Sequence, residues 1–74
     1  MDRKDQLLRI GKRVKFIRET KGLSQTQLAN NIGKDQPSIN RLEKGNVNPS
    51  YLYILEVCEG LEITIAEFFN ETLE

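Results

Sequence analysis

The sequence predicts an all-α fold, a compact five-helix domain spanning 1–74. Apolar residues recur at three- and four-residue spacing, the period of a buried helical stripe. Glycines and turn formers punctuate these runs, and two Ser/Thr-x-x-Gln/Glu boxes mark helix starts. No alternating pattern competes for a strand, and 74 residues fit one core.

The first helix is expected from about Asp2 to Lys21, with Leu7, Ile10, Val14 and Ile17 on its buried side. Gly22 follows the last periodic residue, where a glycine takes the left-handed conformation that closes a helix. Ser24 caps the second helix, 25–31, and Gln27 reaches back to complete the box, with Leu23 and Leu28 placed as a hydrophobic staple. Gly33 is the pivot of the turn that follows. Asp35 then caps a third helix, 36–43, and Pro37 is tolerated because a first-turn N–H has no intrahelical partner. Ile39 and Leu42 face inward, which leaves Gln36, Ser38, Asn40 and Arg41 on other faces. Ser50 caps a fourth helix carrying Leu52, Ile54, Leu55, Val57, Cys58 and Leu61, expected to be mostly buried. Thr64 and Glu67 form the second box, with Ile63 and Phe68 in staple positions, and open a short fifth helix that ends at Phe69 or Leu73.

The formal net charge is zero, yet the charges are segregated. The first 44 residues hold all 11 basic side chains against five acids, a net +6, whereas the chain from Asn46 onward has six glutamates and no cation, a net −6. A basic half is what phosphate binding requires, because Lys and Arg release the counterions condensed on a duplex. One cysteine and no histidine rule out an internal disulfide and a Cys/His metal site, so neither metal nor cofactor is expected. Cys58 has no histidine to activate it and is assigned to packing; paired carboxylates and phosphate-binding glycine loops are absent. These features argue against an enzyme. The first residues contain no uninterrupted apolar segment and nothing approaches a bilayer span, so a cytoplasmic location without membrane contact is expected.

Two short helices around Gly33, the second exposing amides and an arginine, form the arrangement that docks a helix in the major groove of duplex DNA. The segment GKRVKFIRETKGLSQTQLANNIGKDQPSINRLEKGNVNPS resembles the Cro and phage-repressor type helix-turn-helix family, and the likeness extends over about residues 7–69. It implies a recognition helix at 36–43 and a phosphate grip by Gln25. Gln36, Pro37 and Ser38 match the base-reading opening: Gln36 suits adenine, Ser38 several bases or phosphate, and Pro37 only an apolar contact. Arg41 suits a guanine edge or a phosphate, Asn40 either, and Lys44 and Asn46 match the loop that meets the DNA backbone. Arg18 and Glu43 match a structural ion pair of the family, while Lys12, Arg13 and Lys15 are read as solvated. The family commonly ends its fourth helix on a glycine where this chain has Glu62 and carries Gly60 instead. Either the helix stops about two residues early or Glu62 is strained.

A chain this small cannot hide Tyr51, Tyr53, Phe68 and Phe69 together, so a dimer face on helices four and five is expected, with two half-sites about one DNA turn apart. The first reading is thus a homodimeric, sequence-specific transcription regulator, similar in size to restriction-modification controllers, with no separate small-molecule domain. The rivals are an antitoxin-like protein that binds DNA and a toxin partner, and an interaction module that has lost DNA binding.

Overall fold

The computed structural model describes residues 2–70 and contains five helices in this order: α1 (Arg3–Thr20), α2 (Gln25–Asn31), α3 (Gln36–Glu43), α4 (Tyr51–Leu61) and α5 (Ile65–Phe69). Leu73 lies outside the described residues. Helices α2 to α5 start at the expected caps, and Asp2, for which no such role was expected, caps α1. Asp2, Ser24, Asp35, Ser50 and Thr64 all have extended backbones and accept from an N–H three residues on; at Ser24 and Thr64 the cap's own N–H also donates back to the Gln27 or Glu67 side chain. Five orphan donors are satisfied within four-residue windows, so the boundaries are set locally.

The core draws on every helix. Val14 and Ile17 of α1 meet Leu28 and Ala29 of α2, Ile39 and Leu42 of α3, Ile54, Val57, Cys58 and Leu61 of α4, and Phe68 of α5. Burial pushes the Cys58 thiol up, away from the reactive thiolate, in keeping with packing. Helix α2 packs most closely on α3, α1 contacts α3 and α4, and α4 also contacts α2 and α5. Among the described residues no helix is long and apolar enough to cross a membrane.

Two glycines permit the close approaches. A Cβ at Gly11 would strike the backbone of α3, 2.5 Å from the Glu43 carbonyl oxygen, and one at Gly45 would lie 2.8 Å from Leu8 Cα. Helix α1 therefore rests directly on the C-terminal end of α3. Lys4 ties the same corner, its Nζ donating to the carbonyls of Lys44 (3.2 Å) and Gly45 (2.8 Å) and to Asn46 Oδ1 (2.6 Å).

Three sequence expectations change. Arg13 is not simply solvated: it is half-buried and donates to the carbonyls of Phe68 (2.7 Å), Glu67 (2.9 Å) and Asn70 (3.2 Å), capping the end of α5. Leu52 is 64% exposed, because the first turn of α4 projects past the core. The end of α4 also has a definite form. Glu62 occupies the left-handed region (φ 59°, ψ 44°), while Gly60 stays inside the helix, where a Cβ would meet Ile32 Cγ2 at 2.5 Å. The glycine serves the contact between α2 and α4, which Asn31 Nδ2 reinforces by donating to the Gly60 carbonyl at 3.2 Å. Relieving the strained cap by Glu62→Gly should raise the free energy of unfolding by about 1 kcal/mol. That corresponds to a melting temperature roughly 4–8 °C higher in a domain of this size. Thermal unfolding checks this, and an unchanged midpoint would mean that the left-handed turn costs nothing here.

Candidate nucleic-acid interface

Helix α3 buries Ile39 and Leu42 and turns Gln36, Pro37 and Arg41 to solvent, with Ser38 and Asn40 half-buried beside them. What fixes this face starts beneath it. Arg18 and Glu43, buried between α1 and α3, form a two-pronged ion pair: Nε to Oε2 at 2.6 Å and Nη2 to Oε1 at 3.0 Å. Arg18 Nη1 also donates to the Leu23 carbonyl at 2.7 Å, which fastens the entry to α2. The hydrogen bonds that Arg18 donates to Glu43 raise its pKa against the opposing effect of burial, so the guanidinium stays charged.

From Glu43 the network climbs to the surface through Gln25. The Gln25 amide donates to Glu43 Oε1 at 2.9 Å, and its carbonyl oxygen accepts from Gln36 Nε2 at 2.7 Å and Asn40 Nδ2 at 3.3 Å. This adds a structural role to the phosphate grip expected of Gln25. Its side chain bridges the buried pair to the exposed amides, and the half-buried group is already engaged at both ends. The other part of α3 is organised by Asp35, whose carboxylate accepts from the Ser38 N–H (3.0 Å) and from the Ser38 hydroxyl. Those hydrogen bonds hold the Asp35 carboxyl below its ordinary pKa. The hydroxyl proton of Ser38 is thus committed, while its oxygen accepts from Arg41 Nη2 at 3.2 Å. Ser38 here steadies Arg41. Lys44 and Asn46 are exposed at the end of α3, where Lys4 holds the loop that carries them.

The four aromatic residues assigned to a dimer face separate. Tyr51 (65% exposed) and Phe69 (52%) remain on the surface, but Phe68 is buried at 1% and belongs to the core, its ring packed edge-on against Phe69. In a five-residue helix adjacent phenylalanines must face apart, and the deeper place falls to the residue of the staple. Tyr53 is half-buried and lines a cleft with Lys34, Ser38, Arg41 and Val47, beside the polar face of α3. Phe16, at 52% exposure, was not anticipated as a surface aromatic; Arg13 lies 5.8 Å from its ring centroid.

Sequence reasoning missed Lys4, whose partners lie about forty residues away and leave no local trace. It also passed over Gly11, although a glycine inside a helical pattern costs about 1 kcal/mol against alanine and thereby points to a packing reason.

Residues 14–68 match the family model described as helix-turn-helix. The chain is 31% identical over 67 residues to the HTH-type transcriptional regulator PuuR of Escherichia coli strain K12; that match takes in 90% of this chain and 36% of PuuR. The chain therefore spans about a third of that relative's length. Among solved structures, it is similar to the restriction-modification controller protein C.AhdI of Aeromonas hydrophila, with a TM-score of 0.86 and 35% identity, over 93% of this chain and 100% of the other. The clp gene regulator ClgR of C. glutamicum superimposes with a TM-score of 0.78 at 26% identity, over 84% and 82% of the two chains. With the capped pair α2 and α3 at its centre, the chain belongs to the Cro and phage-repressor type helix-turn-helix family of DNA-binding regulators.

Proposed function

We propose that this chain regulates transcription as a homodimer, each copy laying α3 in the major groove of duplex DNA and reading sequence there. The observation that carries the reading is the exposed polar face of α3, where Gln36 and Asn40 are held in place by hydrogen bonds that run through Gln25 to a buried ion pair. Glutamine and asparagine suit adenine, and Arg41, free of the core and bonded only to the Ser38 hydroxyl among the contacts of α3, suits guanine. Pro37 adds an apolar contact of the kind a thymine methyl accepts. Lys44 and Asn46 lie where the DNA backbone would pass and fix register without reading sequence. Tyr51, Leu52 and Phe69, all more than half exposed on α4 and α5, supply apolar surface for a second copy, which would space two recognition helices about 34 Å apart. In this reading the chain has no enzymatic activity.

Binding to a selected and a random duplex, titrated with salt, tests the proposal. Phosphate contacts impose a steep linear fall of log affinity with log salt, and a flat response would remove DNA as the partner. In the same assay Arg41→Ala should weaken the selected duplex by about 1–3 kcal/mol and relax its specificity. Lys44→Ala should weaken both duplexes alike and lower the salt slope by about 1. Equal behaviour of the two variants would refute this division of labour.

A further inference from the structure

The cleft between α3 and α4 has a volume of about 130 Å³ and is walled by Lys34, Ser38, Arg41, Val47 and Tyr53. A water molecule's share of the liquid is about 30 Å³, so the space accommodates several oxygen atoms. Tyr53 is part of its wall, and the Tyr53 hydroxyl, closed to solvent by its neighbours, has no hydrogen-bond partner, the one such side-chain atom among the described residues. A buried hydroxyl without a partner forfeits its hydration for nothing in return, unless something else supplies the bond. Burial raises the Tyr53 pKa, so the phenol keeps its proton and remains a donor at neutral pH. The Lys34 ammonium stands 5.4 Å from the centre of the same ring. Arg41 adds a second cation, whose effect on Tyr53 outweighs that of either carboxylate, Asp35 or Glu56, and Asp35 is already occupied by the Ser38 hydroxyl and N–H. Donors and positive charge converge here, and no acceptor lies within hydrogen-bond reach of the hydroxyl.

We propose that this cleft is a phosphate seat, in which the exposed Lys34 chain draws off the Tyr53 ring to provide the counter-charge and the hydroxyl so uncovered donates to a phosphate oxygen. It rests on the DNA-binding reading above and deepens it by assigning two residues, on the turn before α3 and on α4, to the grip on the backbone. Arg41 shares the wall and remains directed to the bases. The same chemistry fits a phosphodiester of the duplex and free orthophosphate.

The test uses the full chain with selected and random duplexes, and inorganic phosphate as a separate probe. Tyr53→Phe should weaken both duplexes by the same factor, about tenfold for a hydrogen bond to a charged oxygen, without altering the salt slope, since no charge is removed. Lys34→Gln should weaken both and lower the slope by about 1. The phenylalanine keeps the ring and removes only an unpartnered hydroxyl, so thermal unfolding of that variant should be unchanged or slightly higher. Inorganic phosphate, added against chloride at matched ionic strength, distinguishes the sources. A thermal shift that Tyr53→Phe abolishes would extend the seat to the free ion, whereas a loss seen only with duplexes would assign it to the phosphodiester. Unchanged affinity of Tyr53→Phe for both duplexes, with no Tyr53-dependent phosphate shift, would overturn the proposal. So would a loss confined to the selected duplex, which would place Tyr53 behind base reading. A flat salt response of the unaltered chain would count against DNA binding itself, and the phosphate arm would still test the seat.

Discussion

Arg18→Met lowers the free energy of unfolding by about 3–5 kcal/mol, as much as the costliest truncations of the apolar core. The methionine fills much of the arginine's volume, so the loss comes from charge. Glu43 would be left buried without its guanidinium, and the Leu23 carbonyl would lose its donor. Total stabilities of about 0.05–0.15 kcal/mol per residue mean that a domain of this length has little beyond this to lose. The double variant Arg18→Met with Glu43→Leu should recover most of the stability, because two apolar side chains replace a buried pair at little cost. Its DNA affinity should not recover. Without the Glu43 carboxylate the Gln25 amide has lost its inner partner, and the hold on Gln36 and Asn40 loosens. Chemical denaturation and duplex binding on the two variants separate the effects. A single-variant loss below about 1 kcal/mol would mean that the pair behaves like a solvated surface pair.

Gly11→Ala comes next, at about 2–3 kcal/mol of destabilisation, in the upper part of the range for an overpacked contact. On an open helix surface the same change would stabilise by about 1 kcal/mol, so the sign itself is diagnostic. The added methyl meets the carbonyls of Leu42 and Glu43, which are backbone and cannot rotate aside as a side chain would. Helix α1 must lift from α3, and the geometry of Arg18 on Glu43 goes with it. Denaturant unfolding provides the measure. A gain in stability would show that α1 can shift freely over the end of α3.

The helices were readable in the sequence because their starts are decided by partners three residues apart, as at Ser24 with Gln27 and Thr64 with Glu67. The Arg18–Glu43 pair was readable only through the resemblance, since 25 residues separate its members. What escaped depends on how helices lie across one another. Gly60 looks like a helix stop until α2 is placed against it; then the glycine is needed for contact, and the stop falls on Glu62. Gln25 looks like a surface amide until α1 brings Arg18 and Glu43 beneath it. Phe68 and Phe69 are equally apolar neighbours, and only the seat of α5 on the core tells which one is hidden. The polar face of α3 was predictable as a set of residue types, but not as a set of restrained and unrestrained side chains.

That last difference has a kinetic side. Ordering a long side chain at an interface costs about 0.5–1.5 kcal/mol of entropy. Gln36 and Asn40 lose much of that freedom when the chain folds, through their bonds to Gln25. Arg41 leans on a single hydroxyl and keeps its mobility. In the major-groove reading, the amides meet the duplex as a preorganised template during encounter. The guanidinium closes afterwards as a latch, so it governs how long the complex lives more than how fast it forms.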